Sequence, residues 1–244
     1  MQGKDTKNTE VTTVASVERA LEILNAFEGN AAALTLAEMS SRTGLYKSTI
    51  LRLAETLVKY EYLIKLEDGT YQIGPKPFLL GARYQTSVIP AEWILPILRD
   101  LTDQTGESAS FNIRQGEYRV CLWRVDSPHL IRDHTQAGDI RPLGKGAAGK
   151  LLLAFAQPND SQYEALRQRP LSYSYGEVEM DMAGIGAPIF GPTGELRGVL
   201  TLSGPCNRFT PEKVKLMEQA LWKSAIMLTK RLGGNMTQLK ITPA

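Results

Sequence analysis

Residues 35–60, TLAEMSSRTGLYKSTILRLAETLVKY, dictate two short helices joined by a sharp turn. Thr35 with Glu38 three residues on spells a capping box. Leu36 and Met39 mark the inner side of the first helix, and Gly44 supplies the permissive backbone that a tight helix-to-helix turn needs. In the second helix Ile50, Leu51, Ala54, Leu57 and Val58 recur at helical spacing as a buried stripe. Lys47, Ser48, Thr49, Arg52, Glu55, Thr56 and Lys59 are left facing outward. This pattern fits a helix-turn-helix, with an ordinary helical hairpin as the alternative. Residues 63–74, LIKLEDGTYQIG, alternate apolar and polar on both sides of Asp68-Gly69, a strong hairpin turn. A helix-turn-helix followed at once by a hairpin is the winged arrangement.

Upstream, residues 1–13 read as a disordered arm. Residues 16–27, SVERALEILNAF, read as an amphipathic helix capped by Ser16, with Val17, Ala20, Leu21, Leu24 and Phe27 on its buried stripe. Residues 29–33 form a small-residue loop. Downstream, residues 75–86 predict a connecting helix whose first turn tolerates its prolines, with Phe78, Leu79, Ala82 and Tyr84 available to a partner chain. A linker ends near residues 86–90. A helix over 93–105 turns Ile94, Ile97, Leu98 and Leu101 inward. Strands follow at 108–113, 117–126, 130–135, 185–190 and 196–203, with helices near 149–156, 163–167 and 211–232. Antiparallel hairpins with helices before, between and after give an α+β domain, not a βαβ array.

The 244 residues suffice for two modest domains. With 43% hydrophobic and 22% charged residues the chain has the composition of a soluble globular protein. It lacks an apolar run of membrane-spanning length and an exported leader, so a cytoplasmic location is expected. Cys121 and Cys206 are too far apart in sequence to suggest a disulfide framework or a metal site. Residues 1–85 carry ten Lys/Arg and ten Asp/Glu, so any DNA attraction must come from clustering of Lys47, Arg52, Lys59 and Lys65, not from net charge.

Taken together, SVERALEILNAF, TLAEMSSRTGL, KSTILRLAETLVKYEYL and DGTYQIG, then PLGKGAAGKLLLAF, IGAPIF and LTLSGPCNRF, resemble the IclR family of bacterial transcription regulators over residues 16–232. The resemblance implies an N-terminal winged helix-turn-helix joined by a linker helix to a GAF-like antiparallel-sheet effector-binding domain. The bounds expected are 14–74, 75–89 and 90–244. It also implies a homodimer or dimer of dimers, double-stranded operator DNA, and a small organic effector, a carboxylate metabolite. On that basis Lys47, Ser48, Thr49 and Arg52 would face DNA, with Lys59 and Lys65 in support; Arg52 suits a bidentate base contact. An effector cup is implied at Arg141, Ala147 and Ala148, then Glu177, Asp181 and Pro188, then Thr201 and Ser203. The chain departs from the family at Tyr46 (commonly Pro), Tyr60-Glu61 (commonly a glycine turn), Asp181 (commonly Gly) and Thr201 (commonly Ser).

Enzyme readings are weaker. GKGAAGK at 144–150 nearly spells a phosphate-binding loop but places Leu151 where the magnesium-binding hydroxyl belongs. His129 and His134 lack further metal ligands, and the chain lacks a G-x-S-x-G elbow. Glu177, Glu179 and Asp181 alternate as three carboxylates on one strand face would. No catalytic residue, cofactor or metal is expected. The competing classes are a small-molecule enzyme on the GAF-like domain and a DNA-independent sensor.

Overall fold

A computed structural model describes residues 13–27, 32–235 and 239. The arm expected at 1–13 lies outside these apart from Thr13, and most of the 29–33 loop does also. The chain divides into two compact units that meet between Tyr84 and Gln85.

The first unit contains α1 (Ala15–Asn25), α2 (Leu36–Thr43), α3 (Lys47–Lys59), β1 (Leu63–Lys65), β2 (Tyr71–Ile73) and the start of α4 (Pro75–Val88). The capping box forms as expected: the Thr35 hydroxyl accepts from the Glu38 N–H at 3.2 Å, and Glu38 Oε2 accepts from the Thr35 N–H at 2.8 Å. Gly44 closes α2 at φ 72°, the left-handed conformation that favours glycine. Ile23, Phe27, Leu34, Met39, Ile50, Ala54, Leu57, Leu63 and Tyr71 make the core. β1 and β2 pair antiparallel across the Asp68-Gly69 turn, and Leu34 bridges to Tyr71 at the hairpin's edge.

Three expectations fail in this unit. α1 starts at Ala15 with Val14 as N-cap and no side-chain cap bond, so Ser16 is not the cap. Ile23 is fully buried, whereas Val17 and Leu21 are each 54% exposed. The helix carries two apolar stripes, and spacing alone does not distinguish them. Leu51 on α3 is likewise exposed.

The second unit, from Gln85, continues with the rest of α4, then α5 (Ala91–Thr105), β3 (Ser108–Gln115), β4 (Tyr118–Val125), β5 (Ile140–Pro142), α6 (Gly146–Ala156), α7 (Glu164–Gln168), β6 (Ser172–Tyr175), β7 (Met182–Phe190), β8 (Leu196–Pro205) and α8 (Pro211–Arg231). The six strands form one antiparallel sheet in the order β5-β4-β3-β8-β7-β6. β5 and β6 were not anticipated. The strand expected at 130–135 is irregular loop, and so is the segment of Glu177, Glu179 and Asp181.

Strand alternation gives this sheet two chemically different faces. Ala109, Phe111, Ile113, Ile185, Ala187, Ile189, Leu200 and Leu202 point to one side and pack with α5 and α8 as the main core. Ser108, Ser110, Asn112, Thr201, Ser203, Gly184 and Gly186 occupy the other side by register. There α6 covers the β6–β7–β8 half, with Ala148, Leu151 and Leu152 against Val199. Gly186 makes that approach possible, since a Cβ there would lie 3.3 Å from Leu151 and 3.2 Å from Val199. The half of this face beyond α6 is the polar one.

Candidate functional site

At the start of α3, Lys47, Ser48 and Arg52 are exposed and Thr49 is half-buried beside them. Ile50, Ala54 and Leu57 fix the helix onto the core and turn this edge outward. Among the described residues, Lys47 and Arg52 make no ion pair, so no neighbouring carboxylate neutralises them. Lys59 and Lys65 are also exposed, 5.9 Å from the Tyr60 ring and 5.8 Å from the Tyr71 ring. The arrangement presents cations and a hydroxyl at a helix N-terminus, chemistry suited to phosphates and base edges.

In the second unit, a cavity of about 70 Å³ opens on the polar half of the sheet. It would hold a few heavy atoms, on a measure where one water needs roughly 10–15 Å³. Of the residues expected for the cup, Arg141, Ala147, Ala148, Thr201 and Ser203 line it. Glu177, Asp181 and Pro188 do not. Pro188 lies opposite Val199 in the β7–β8 ladder, away from the cavity. Asp181 is exposed, its carbonyl accepting from the Cys206 N–H. Glu177 takes the Gly146 N–H at 3.1 Å and Lys150 Nζ at 2.6 Å. Thus the chain's own carboxylate occupies the N-terminus of α6, and Lys150 serves structure, not phosphate binding.

Sequence reading missed Arg119 and Arg124 on β4, Ser110 and Asn112 on β3, and Asp133 in the loop after β4, all of which line the cavity. The two arginines stand five apart, so strict alternation puts them on opposite faces. A β-bulge changes this. Phe111 pairs with Trp123 and Asn112 with Cys121, which leaves Leu122 as an extra residue. Beyond it the strand is rephased, so Arg119, Cys121 and Arg124 share the polar face. The Leu122 carbonyl freed by the bulge accepts from Gln85 Nε2 at 2.6 Å.

The three cavity arginines differ in their partners. Arg124 reaches Asp126 at 2.7 Å and Asp133 at 3.4 Å. Arg141 meets Glu179 at 3.4 Å. Arg119 forms no ion pair among the described residues, and its Nε is buried without a hydrogen-bond partner. Burial, then the positive charge of Arg141, lowers its pKa from its ordinary value. A guanidinium stays charged regardless. Asp133 is the built-in anion: burial raises its pKa, but hydrogen bonds from Ser203 (2.6 Å) and Thr135 and the charge of Arg124 outweigh that and hold it below the usual range. Beside these groups, Asn112 donates to Ser110 Oγ at 3.0 Å and Thr201 Oγ1 at 2.7 Å, and the two hydroxyls lie 2.8 Å apart. Cys121 is buried on the same face, which pushes its thiol up to about 11 and leaves it unreactive at neutral pH.

Comparison with known proteins settles the family. The IclR helix-turn-helix domain matches residues 16–66, and the bacterial transcriptional regulator IclR C-terminal domain matches residues 86–168. The chain belongs to the IclR family of transcription regulators. It is 24% identical to the transcriptional repressor IclR of Escherichia coli, over 91% of this chain and 91% of that one. It is 21% identical to the regulator KipR of Bacillus subtilis, over 89% and 97%. Thermotoga maritima IclR shares the fold at TM-score 0.74 and 21% identity, with 90% and 99% covered. An IclR homolog of Microbacterium hydrocarbonoxydans, solved with 4-hydroxybenzoate, superposes at TM-score 0.74 and 18% identity, with 88% and 99% covered. As an IclR-family protein the chain is a DNA-binding regulator of transcription and not an enzyme. Among the described residues no helix is long and apolar enough to cross a membrane.

Proposed function

We propose that this IclR-family regulator binds operator DNA in the cytoplasm as a homodimer or dimer of dimers and is modulated by a small carboxylate held in the cavity between β3, β4, β8 and α6. The assignment follows the bounds 14–74 for DNA binding, 75–89 for the linker and 90–244 for the effector domain. The observation that carries it is Arg119: its Nε is buried without a hydrogen-bond partner, and among the described residues it makes no ion pair, which leaves this cation open to an arriving anion. A relative of the same fold, solved with 4-hydroxybenzoate, supports a small-molecule ligand. The α3 edge is the reading surface, with Arg52 on a base and Lys47, Ser48 and Thr49 on phosphates. Lys59 and Lys65 extend the cationic strip. Exposed apolar side chains support self-association: Val14, Val17 and Leu21 on α1, and Phe78, Leu79 and Leu80 on α4. The effector acts by binding two dimer geometries unequally, which alters the spacing of two recognition helices.

Fluorescence anisotropy on the DNA upstream of its own gene tests this reading. Arg52→Ala should weaken specific binding by on the order of tenfold and relax base preference at one position of each half-site. Lys47→Ala should lower affinity evenly across sequences and shallow the salt slope by about one. Salt-insensitive or absent DNA binding by the wild type would instead favour a DNA-independent sensor.

A further inference from the structure

We infer that Tyr46 is a further base-reading residue, its ring packed on a thymine methyl in the major groove of the operator; the inference rests on the reading surface at the start of α3 given above.

Exposure sets Tyr46 apart. It is 84% exposed, more than any other large apolar or aromatic side chain among the described residues of the first unit. Among those residues its hydroxyl makes no hydrogen bond and its ring packs on no other ring. Nor does it cap the helix, since as N-cap of α3 it offers the first turn no side-chain acceptor. Neither packing nor capping accounts for a tyrosine here.

The backbone explains how an aromatic at this point stays out of the core. Continued as helix, position 46 would share a side with Ile50 and Leu53, which pack inward. Tyr46 is instead extended, at φ −64° and ψ 140°, which takes it off the helical spiral. This conformation is held from both sides. Before it, the Leu45 carbonyl accepts from Ser40 Oγ at 2.7 Å, and the Leu45 N–H donates to Thr43 Oγ1 at 3.2 Å. After it, the Tyr46 carbonyl accepts from the Thr49 and Ile50 N–H groups at 2.9 and 3.1 Å. Binding has only the side-chain torsions left to order, a small entropic cost for so large a contact.

Position and chemistry single out the partner. A recognition helix meets base edges through its N-terminal residues, and Tyr46 stands directly before Lys47 and Ser48. Those two already supply this end of α3 with phosphate-directed groups. What Tyr46 adds is apolar surface. In the major groove the thymine methyl is the apolar group on offer, and the other three bases lack it. A ring on that methyl favours thymine at one position of each half-site.

Duplexes selected from a random pool by the full-length protein, then titrated by fluorescence anisotropy, test this. The wild-type selection should fix a thymine beside the base that Arg52 reads. A Tyr46→Ala selection should lose the preference at that position alone. Uracil in place of this thymine removes only the methyl, and should weaken wild-type binding by about fourfold per half-site. Tyr46→Phe keeps the ring and should discriminate as the wild type does, whereas Tyr46→Ala should bind both duplexes equally. Thermal unfolding verifies that the variants fold. Should Tyr46→Ala fail to, Tyr46→Ser, a favoured N-cap residue, takes its place. Equal wild-type affinity for thymine and uracil duplexes, or undiminished discrimination by Tyr46→Ala, would overturn the inference. So would a loss in Tyr46→Phe as large as in Tyr46→Ala, which would assign the hydroxyl to a phosphate instead. In those cases sequence-selective binding that Arg52→Ala weakens leaves the regulator reading standing. If the wild type selects no sequence at all, the α3 reading surface falls and this inference with it.

Discussion

Glu61 shows how a single residue can keep a motif while departing from its usual chemistry. The Glu61 N–H donates to the Val58 carbonyl, and the Tyr62 N–H to Leu57, at 3.0 and 2.9 Å. This is a Schellman ending to α3, and its left-handed position, φ 63°, holds a glutamate where glycine is customary. A side chain there costs roughly 1–2 kcal/mol, partly offset by the entropy a glycine would lose on folding. Glu61→Gly should therefore raise stability by about 1 kcal/mol, visible as a higher urea midpoint with unchanged slope. The departure was legible in the sequence as Tyr60-Glu61 in place of a glycine turn, and the hydrogen bonds show that the turn survives it. Arg119 was not legible. An arginine inside YRVCLWRV looks like a solvent-facing strand residue, and only the fold shows that its Nε is buried without a partner and that it makes no ion pair among the described residues.

At the level of elements, what could be read locally was read well. The capping box of α2, the left-handed glycine after it and the Asp68-Gly69 hairpin depend on residues within four positions of one another. Thr35→Ala should cost about 1 kcal/mol, detected as a lower melting midpoint of the protein, because it removes the acceptor of the Glu38 N–H. What depends on distant partners was missed. β5 and β6 are three and four residues long, and they exist because β4 and β7 offer open edges. On α1, Ala20, Leu24 and Phe27 pack inward as expected, but Val17 and Leu21, as apolar as Ile23, face outward in its place. The two polar strands of the cavity looked like ordinary alternation. Local pattern identified Thr201 and Ser203 as polar strand residues, but Ser203 donates to Asp133, a loop residue seventy positions away.

For the molecule as a whole, the exposed apolar side chains of α1 and α4 and the absence of surplus charge in residues 1–85 point the same way. A unit with ten cations and ten anions holds DNA weakly alone, and two recognition helices on one duplex double the cations that reach phosphate. Paired Leu21→Glu and Phe78→Glu substitutions should give a species that sediments as a monomer at micromolar concentration. Its far-ultraviolet circular dichroism should match the wild type, which should sediment as a dimer or larger. The bulge at Leu122 has a consequence for how such a protein diversifies. Point substitutions at Arg119, Asn112 or Thr201 can retune the cavity one group at a time without touching the main core. Loss of the single codon for Leu122 could not act so locally. It would return β4 to strict alternation, setting Arg124 toward the apolar side or dragging Arg119 there, and so exchange the chemistry of both faces in one step. The chemistry of the cavity can therefore drift by substitution, while the length of this strand is held constant by the core beneath it.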